Sequence, residues 1–140
     1  MKLFFDINVV LDVLTGRKPW AADSAAALSL LDVDEIQGLI AAHTVTTLHY
    51  LTFRHLPAGK AKAALLEVLG MFAIASVDEA TLLKALTVTA PDYEDAVQAV
   101  CAINEGADYF ITRNTKDFAG LGLQVLTPAE LLALLRSAEQ

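Results

Sequence analysis

Carboxylates gather in three short stretches of this 140-residue chain, each able to contribute to a cation site. The first is Asp6-Ile7-Asn8, with Asp12 four residues after Asn8. The second is Asp92-Tyr93-Glu94-Asp95-Ala96, and the third is Thr112-Arg113-Asn114-Thr115-Lys116-Asp117-Phe118. Mg²⁺ and Mn²⁺ prefer oxygen donors and retain several waters, so a few converging carboxylates suffice to hold them. Each stretch also has a plainer reading. Asp6 alone reads better as a cap on a following helix. Asp12 reads as a partner of the cluster or as a surface carboxylate paired with Arg17 or Lys18. Asp92 with Asp95 three residues on resembles a capping arrangement, and acids in a first turn suit the helix dipole.

Three carboxylates within four residues nevertheless repel one another unless something positive lies between them. Asp95 shares a helical stripe with Ala99, Ala102 and Gly106, whose small size permits close approach to neighbouring backbone. The third stretch is the densest: Asp117 offers a metal ligand, Arg113 or Lys116 a phosphate contact, and Thr112 or Asn114 a means of positioning water. Its alternative is a polar loop rich in turn formers.

Other residues weigh less. His43, His49 and His55 recur every six positions, which is not the spacing of a zinc-binding pair on one helical face. Cys101 sits among Val97, Val100 and Asn104 and reads as core. No glycine-rich phosphate loop occurs. Trp20 follows the basic pair Arg17-Lys18 and reads as packing on its own domain, with stacking on a base or a partner as the alternative.

Short apolar strands and helices must position these motifs. Lys2–Phe5 reads as a buried strand ending at Asp6, followed by helix Asn8–Leu14 stopped by Gly16. Ala21–Leu31 reads as a helix capped near Asp23. Gly38–Ala42 reads as a second strand, leading through Thr44–Thr47 into helix Leu48–His55. Lys60–Leu69 is helical and ends at Gly70. Phe72–Val77 is a third strand, and Asp78 caps Glu79–Leu86. Asp92 caps Tyr93–Asn104, Tyr109–Thr112 is a fourth strand, and Gln124–Leu126 a fifth. Thr127-Pro128-Ala129-Glu130 is a strong helix start. Helices between short apolar strands imply a parallel sheet covered on both faces. Sites in such sheets form at the carboxyl ends of strands, where Asp6, Thr44–Thr47 and Thr112–Asp117 fall.

The composition is 55 % hydrophobic with a mean hydropathy of +0.48, rich enough to predict a homo-oligomer or a protein partner. Charged residues break every apolar run, so no membrane span is expected. One cysteine cannot make an internal disulfide, which suits a cytoplasmic protein. The net charge of −7 argues against a general nucleic-acid-coating protein. Setting the six motif acids Asp6, Asp12, Asp92, Glu94, Asp95 and Asp117 aside leaves eleven acids against ten bases. The excess negative charge thus belongs mostly to the motifs.

In order and spacing these motifs resemble the PIN-domain family, the nuclease fold found in VapC-type toxins of bacterial toxin–antitoxin pairs. The resemblance rests on Phe5–Leu14, on Asp92–Ala96 with Ala99 and Ala102, on Ile111–Phe118, and on Val125–Pro128. It spans nearly the whole chain. It implies one PIN-like α/β domain over residues 1–140, a three-layer α/β/α fold with a central parallel sheet of four to five short strands. It further implies an endoribonuclease using Mg²⁺ or Mn²⁺ to hydrolyse RNA. In that frame Asp6 and Asp95 are the principal metal ligands and Asp117, with Asn114, completes the cluster. Thr112 supports the site through its hydroxyl, Asn8 helps to orient it, and Arg113 and Lys116 are candidate phosphate contacts. A homodimer and an antitoxin partner are implied as well.

One position departs from the family. A glutamate usual near the start of the helix after the second strand is absent from Thr44-Val45-Thr46-Thr47-Leu48-His49-Tyr50-Leu51. Three consequences are open: Glu94 substitutes from the neighbouring helix, the site holds one metal more weakly, or catalysis has been lost. The last describes a silent PIN-like module that binds RNA or protein without cutting. A receiver-like signalling domain ranks lower, because the last strand carries no lysine.

Overall fold

The computed structural model describes residues 1–138. Five parallel strands form one sheet in the order β3-β2-β1-β4-β5: β1 (Lys2–Phe5), β2 (Gln37–Ala41), β3 (Ala73–Ala75), β4 (Tyr109–Ile111) and β5 (Val125–Leu126). The chain runs outward from β1 to β3, then returns to the opposite side of β1 for β4 and β5. The strand order therefore reverses between β1 and β4, and a crevice opens at their carboxyl ends. Register places Phe5 beside Ile111, so the next residues, Asp6 and Thr112, emerge together. This order differs from the receiver arrangement, in which the central parallel strands follow 2-1-3-4-5.

Helices cover both faces. On one side lie α1 (Ile7–Thr15), α2 (Ala21–Ser29), α3 (Ala42–His55), α4 (Ala58–Met71) and α7 (Pro128–Ala138). They pack Val9, Val10, Leu28, Leu48, Val68 and Leu131 on Leu3, Phe5, Ile40 and Ile111. On the other side lie α5 (Glu79–Ala85) and α6 (Tyr93–Asn104), whose Ala85, Ala96, Val97, Val100 and Cys101 meet Phe4, Leu39 and Phe110. Alternate strand residues thus face opposite cores, as the two-residue side-chain period requires. The expected three-layer arrangement with a parallel sheet is observed.

Several local expectations hold for the reasons given. Gly16 ends α1 with φ at 64°, a left-handed conformation that a Cβ disfavours. Asp78 caps α5 by accepting from the Thr81 amide at 2.9 Å. Thr127 and Glu130 exchange backbone and side-chain hydrogen bonds at 3.0 and 3.1 Å, a reciprocal cap at the start of α7.

Others are corrected. Thr44–Thr47 lie inside α3, which begins at Ala42 straight after the extended residue Ala41, with no intervening loop. Asp23 is a first-turn residue, not the cap of α2; the residue before the helix is Trp20, and α2 stops at Ser29 before a 3-10 turn, Leu30–Asp32. α4 runs through Gly70 to Met71, because Gly70 keeps a helical backbone in place of a left-handed stop. β3 is shorter than Phe72–Val77, with buried Phe72 serving as an anchor against Phe5 before the strand starts. β2 starts at Gln37 and ends before Ala42, while β4 and β5 omit Thr112 and Gln124.

Candidate active site

Asp6 occupies the crevice between β1 and β4 and is only 1 % exposed. Its backbone amide donates to Ile111 O at 2.9 Å, continuing the β1–β4 pairing. One carboxylate oxygen accepts from Gln98 Nε2 at 3.1 Å and the other from Thr112 Oγ1 at 2.7 Å. Gln98, fully buried on α6, also accepts from the Ile7 amide at 3.2 Å. Thr112 in turn accepts from the Asn114 amide at 3.1 Å, which joins the β4 exit to Asp6. Asp6 stands at the cap position of α1 but makes no side-chain capping bond. Its carboxylate is engaged mainly across the fold, by Thr112 and Gln98, with the Asn8 amide a lesser influence. Burial pushes its carboxyl up, against the opposing pull of the Thr112 and Gln98 hydrogen bonds and the Arg113 charge.

The first turn of α6 brings two more acids to the same crevice. Asp92 caps the helix by accepting from the Asp95 amide at 2.8 Å, as its position predicts. Asp95 points into a different environment: its carboxyl is pushed up to about 7 by burial, then by the charges of Asp92, Asp6, Asp117 and Glu94. Glu94 is also raised, by burial and by Asp92 and Asp6. Its Oε2 lies 3.5 Å from Thr47 Oγ1, so it reaches the α3 position where the family's glutamate is absent.

Asp117 rides on the 3-10 turn Thr115–Phe118, whose amide at Asp117 bonds Asn114 O at 3.0 Å. Phe118 anchors that turn, fully buried and 4.4 Å from the Phe110 ring. Burying such a ring contributes about 1.5–3 kcal/mol, enough to fix where Asp117 sits. Asn8 is half-buried in the first turn of α1, and Lys116 is exposed.

Two candidates sit beside the cluster and pair with each other. Arg113 pairs with Asp12 at 3.4 Å and is 15 % exposed, its guanidinium also 4.1 Å from the Trp20 ring centre. Asp12 is therefore a buried partner of Arg113, and the surface pairing expected with Arg17 or Lys18 is not formed. Trp20 packs on its own domain. Cys101 is buried, its thiol raised to about 11 by burial and donating to Ser76 O at 3.6 Å. His49 lines an apolar groove away from the acids, and His55 ends α3 exposed.

Sequence reasoning missed Gln98 and His43. Gln98 falls on the buried stripe of α6, and a glutamine among Val97, Ala99 and Val100 was the available signal. His43, in the first turn of α3, has both ring nitrogens buried without hydrogen-bond partners among the described residues. Burial lowers its pKa.

The side chains that converge here offer oxygen donors, the kind a hard cation prefers, and the charges of four neighbouring carboxylates disfavour ionisation of Asp95. Among the described residues no three His, Cys, Asp or Glu side chains group tightly enough to bind one ion by themselves. Asp6 already has both oxygens engaged by protein donors. An ion held here would have to keep part of its water shell, as Mg²⁺ does.

A sequence model of the PIN domain matches residues 2–116. Ribonuclease VapC1 of Aquifex aeolicus is 28 % identical over 134 residues, covering 92 % of each chain. VapBC2 of Rickettsia felis, bound to a promoter DNA fragment, superposes with a TM-score of 0.71 at 16 % identity, covering 91 % of this chain and 98 % of that one. VapC20 of Mycobacterium tuberculosis, a toxin that cleaves the sarcin–ricin loop, superposes at 0.69 and 12 % identity, covering 86 % and 95 %. At those identities the structural likeness speaks to the fold. The family match over residues 2–116, well over half of the chain, settles the family: this chain belongs to the PIN-domain family.

Proposed function

We propose that the protein is a metal-dependent endoribonuclease of the VapC type, the toxin half of a toxin–antitoxin pair. The observation that carries this reading is the convergence of Asp92, Asp6, Asp117 and Glu94 on Asp95 at the β1–β4 crevice. Asp6, Asp95, Asp117 and Glu94 would hold Mg²⁺ or Mn²⁺, which supplies a water acidified for attack and neutralises charge growing on the phosphate. Gln98 and Thr112 fix the Asp6 carboxylate, and Asn114 ties Thr112 to the turn that carries Asp117. Glu94, extended toward Thr47, stands in for the carboxylate missing from α3.

A protein partner has support in the surface. His49, Phe53, Lys62, Leu65, Leu66 and Leu69 line an apolar groove of about 440 Å³ between α3 and α4. Phe53 and Leu66 there are 51 % and 62 % exposed. Such a groove suits the apolar face of a helix, from an antitoxin or a second copy. No described helix is long and apolar enough to cross a membrane.

The test is cleavage of a mixed RNA pool with Mg²⁺ or Mn²⁺, repeated with Asp6→Ala and Asp95→Ala. Cleavage by the parent chain and none by either variant is the expected result. Failure of the parent with both metals would favour the silent RNA- or protein-binding module. Cleavage persisting in both variants would move the site elsewhere.

A further inference from the structure

A polyanion must approach a chain of net charge −7, and Arg113 is poorly placed to receive it. Its guanidinium is engaged by Asp12 and covered by Trp20. That packing has a second effect: it seats the α1–α2 loop, residues 16–20, against the exit of β4. The same Arg113 acts on the Asp6 carboxylate, so the loop flanks the crevice.

The loop is held by its backbone. Arg17 N donates to Asp12 O at 2.9 Å, Ala21 N to Arg17 O at 2.8 Å, and Ser24 N to Trp20 O at 3.0 Å. The Arg17 guanidinium lies 5.3 Å from the Trp20 ring centre, a distance at which cation–π attraction restrains it. Arg17 and Lys18 are exposed, and Trp20 is 38 % exposed. Residues 13–22 contain no acid, and the one ion pair among the described residues is that of Arg113 with Asp12. Two exposed cations outside any ion pair therefore stand beside a carboxylate cluster on a braced loop, and Asp12, already paired with Arg113, is the acid on which the Arg17 charge acts.

We propose that Arg17 and Lys18 form a phosphate-binding site for the RNA strand flanking the scissile bond, with Trp20 as the positioning residue for Arg17. This rests on the ribonuclease reading. A restrained guanidinium loses little further freedom on meeting a phosphate, and its planar fork matches two phosphate oxygens. Lys18 adds a point charge next to it. The two make up locally for the repulsion that the rest of the chain exerts on RNA.

Trp20 is the single tryptophan, so its emission reports on the loop without a label. The full chain would be titrated with a mixed-sequence single-stranded RNA oligonucleotide in EDTA, across a salt series. A saturable emission change is expected. Arg17→Ala and Lys18→Ala should each weaken binding several-fold and lower the log–log salt slope by about 0.7, the share of one single-strand phosphate contact. In the metal-loaded enzyme both should raise KM with little change in kcat. Lys60→Ala, at the exposed start of α4, should alter neither slope nor KM. Trp20→Ala should raise KM and Trp20→Phe should restore it.

Cleavage by the parent chain together with unchanged slope and KM in the Arg17 and Lys18 variants overturns the inference and leaves the ribonuclease reading standing. Neither binding nor cleavage of RNA by the parent overturns both. If the double variant handles RNA normally but loses affinity for poly-glutamate, the loop is a protein-docking surface and the phosphate site is refuted.

Discussion

Asp6 and the first turn of α6 face the same crevice, yet they are held in opposite ways. Asp6 has donors on both oxygens and almost no exposure. Glu94 and Asp95 have between them one side-chain contact, the 3.5 Å approach to Thr47, and their neighbours are carboxylates. One acid is fixed by the protein before any ion arrives. The others are set at odds with one another, a repulsion that the proposed cation would relieve. The held carboxylate needs little further organisation, while the repelling pair would make metal affinity depend on proton concentration.

The largest effects should come from removing either acid, and they should differ in kind. Asp6→Ala and Asp95→Ala should both lower cleavage on the order of a thousandfold, as loss of metal assistance implies. Without metal, Asp6→Ala should also lose about 1–3 kcal/mol in a denaturant melt, because the Gln98 amide and Thr112 hydroxyl are left buried and unpaired. Asp95→Ala should match or exceed the parent in the same melt at pH 8, since it relieves repulsion. Equal destabilisation by the two would erase the contrast.

Next in size are the residues that hold Asp6. Gln98→Leu and Thr112→Val should each reduce Mn²⁺ affinity or activity roughly 10–100-fold, the range for groups that orient metal ligands. Titration calorimetry separates the affinity loss from a rate effect.

The pH response is smaller and its sign is fixed. Asp95 holds its proton up to about 7 in the folded chain and releases it near 3.8 when unfolded. Its contribution to metal-free stability is complete below pH 3.8 and is lost as the pH rises through about 7. Burial shifts Asp6 and Glu94 in the same direction. The metal-free melting temperature should therefore fall across this window, and saturating Mn²⁺ should flatten or reverse the trend. A melt that rises with pH in the absence of metal would contradict the picture of α6. Smallest of all, Thr47→Val should weaken Mn²⁺ binding only a few-fold, because a 3.5 Å contact contributes at most a weak hydrogen bond.

What was legible in the sequence follows the range of the interactions involved. Asp92, Asp78 and Thr127 were readable as caps because a cap and its target amide lie three residues apart. Asp6 and Asp117 were readable as strand-exit and turn residues because apolar runs precede them. The partners of Asp6 were not, since Gln98 and Thr112 are 92 and 106 positions away and meet it only through the sheet order. Arg113 looked like a free cation for the same reason: its commitment to Asp12 depends on α1 lying next to the β4 exit. The start of α3 was misplaced because threonines suggest a loop locally, while the buried faces of Thr44 and Leu48 made helix the better tertiary choice.

The central place of β1 has a consequence for synthesis. β1 is made long before β4 and finds that partner only after residue 111 has been made. Until then Asp6 lacks Thr112, and the turn bearing Asp117 does not exist. A translation product cut short before the fourth strand therefore lacks both the Thr112 bond to Asp6 and the turn that carries Asp117. On the ribonuclease reading proposed above, this long-range pairing would hold back cleavage until β4 has been made and paired.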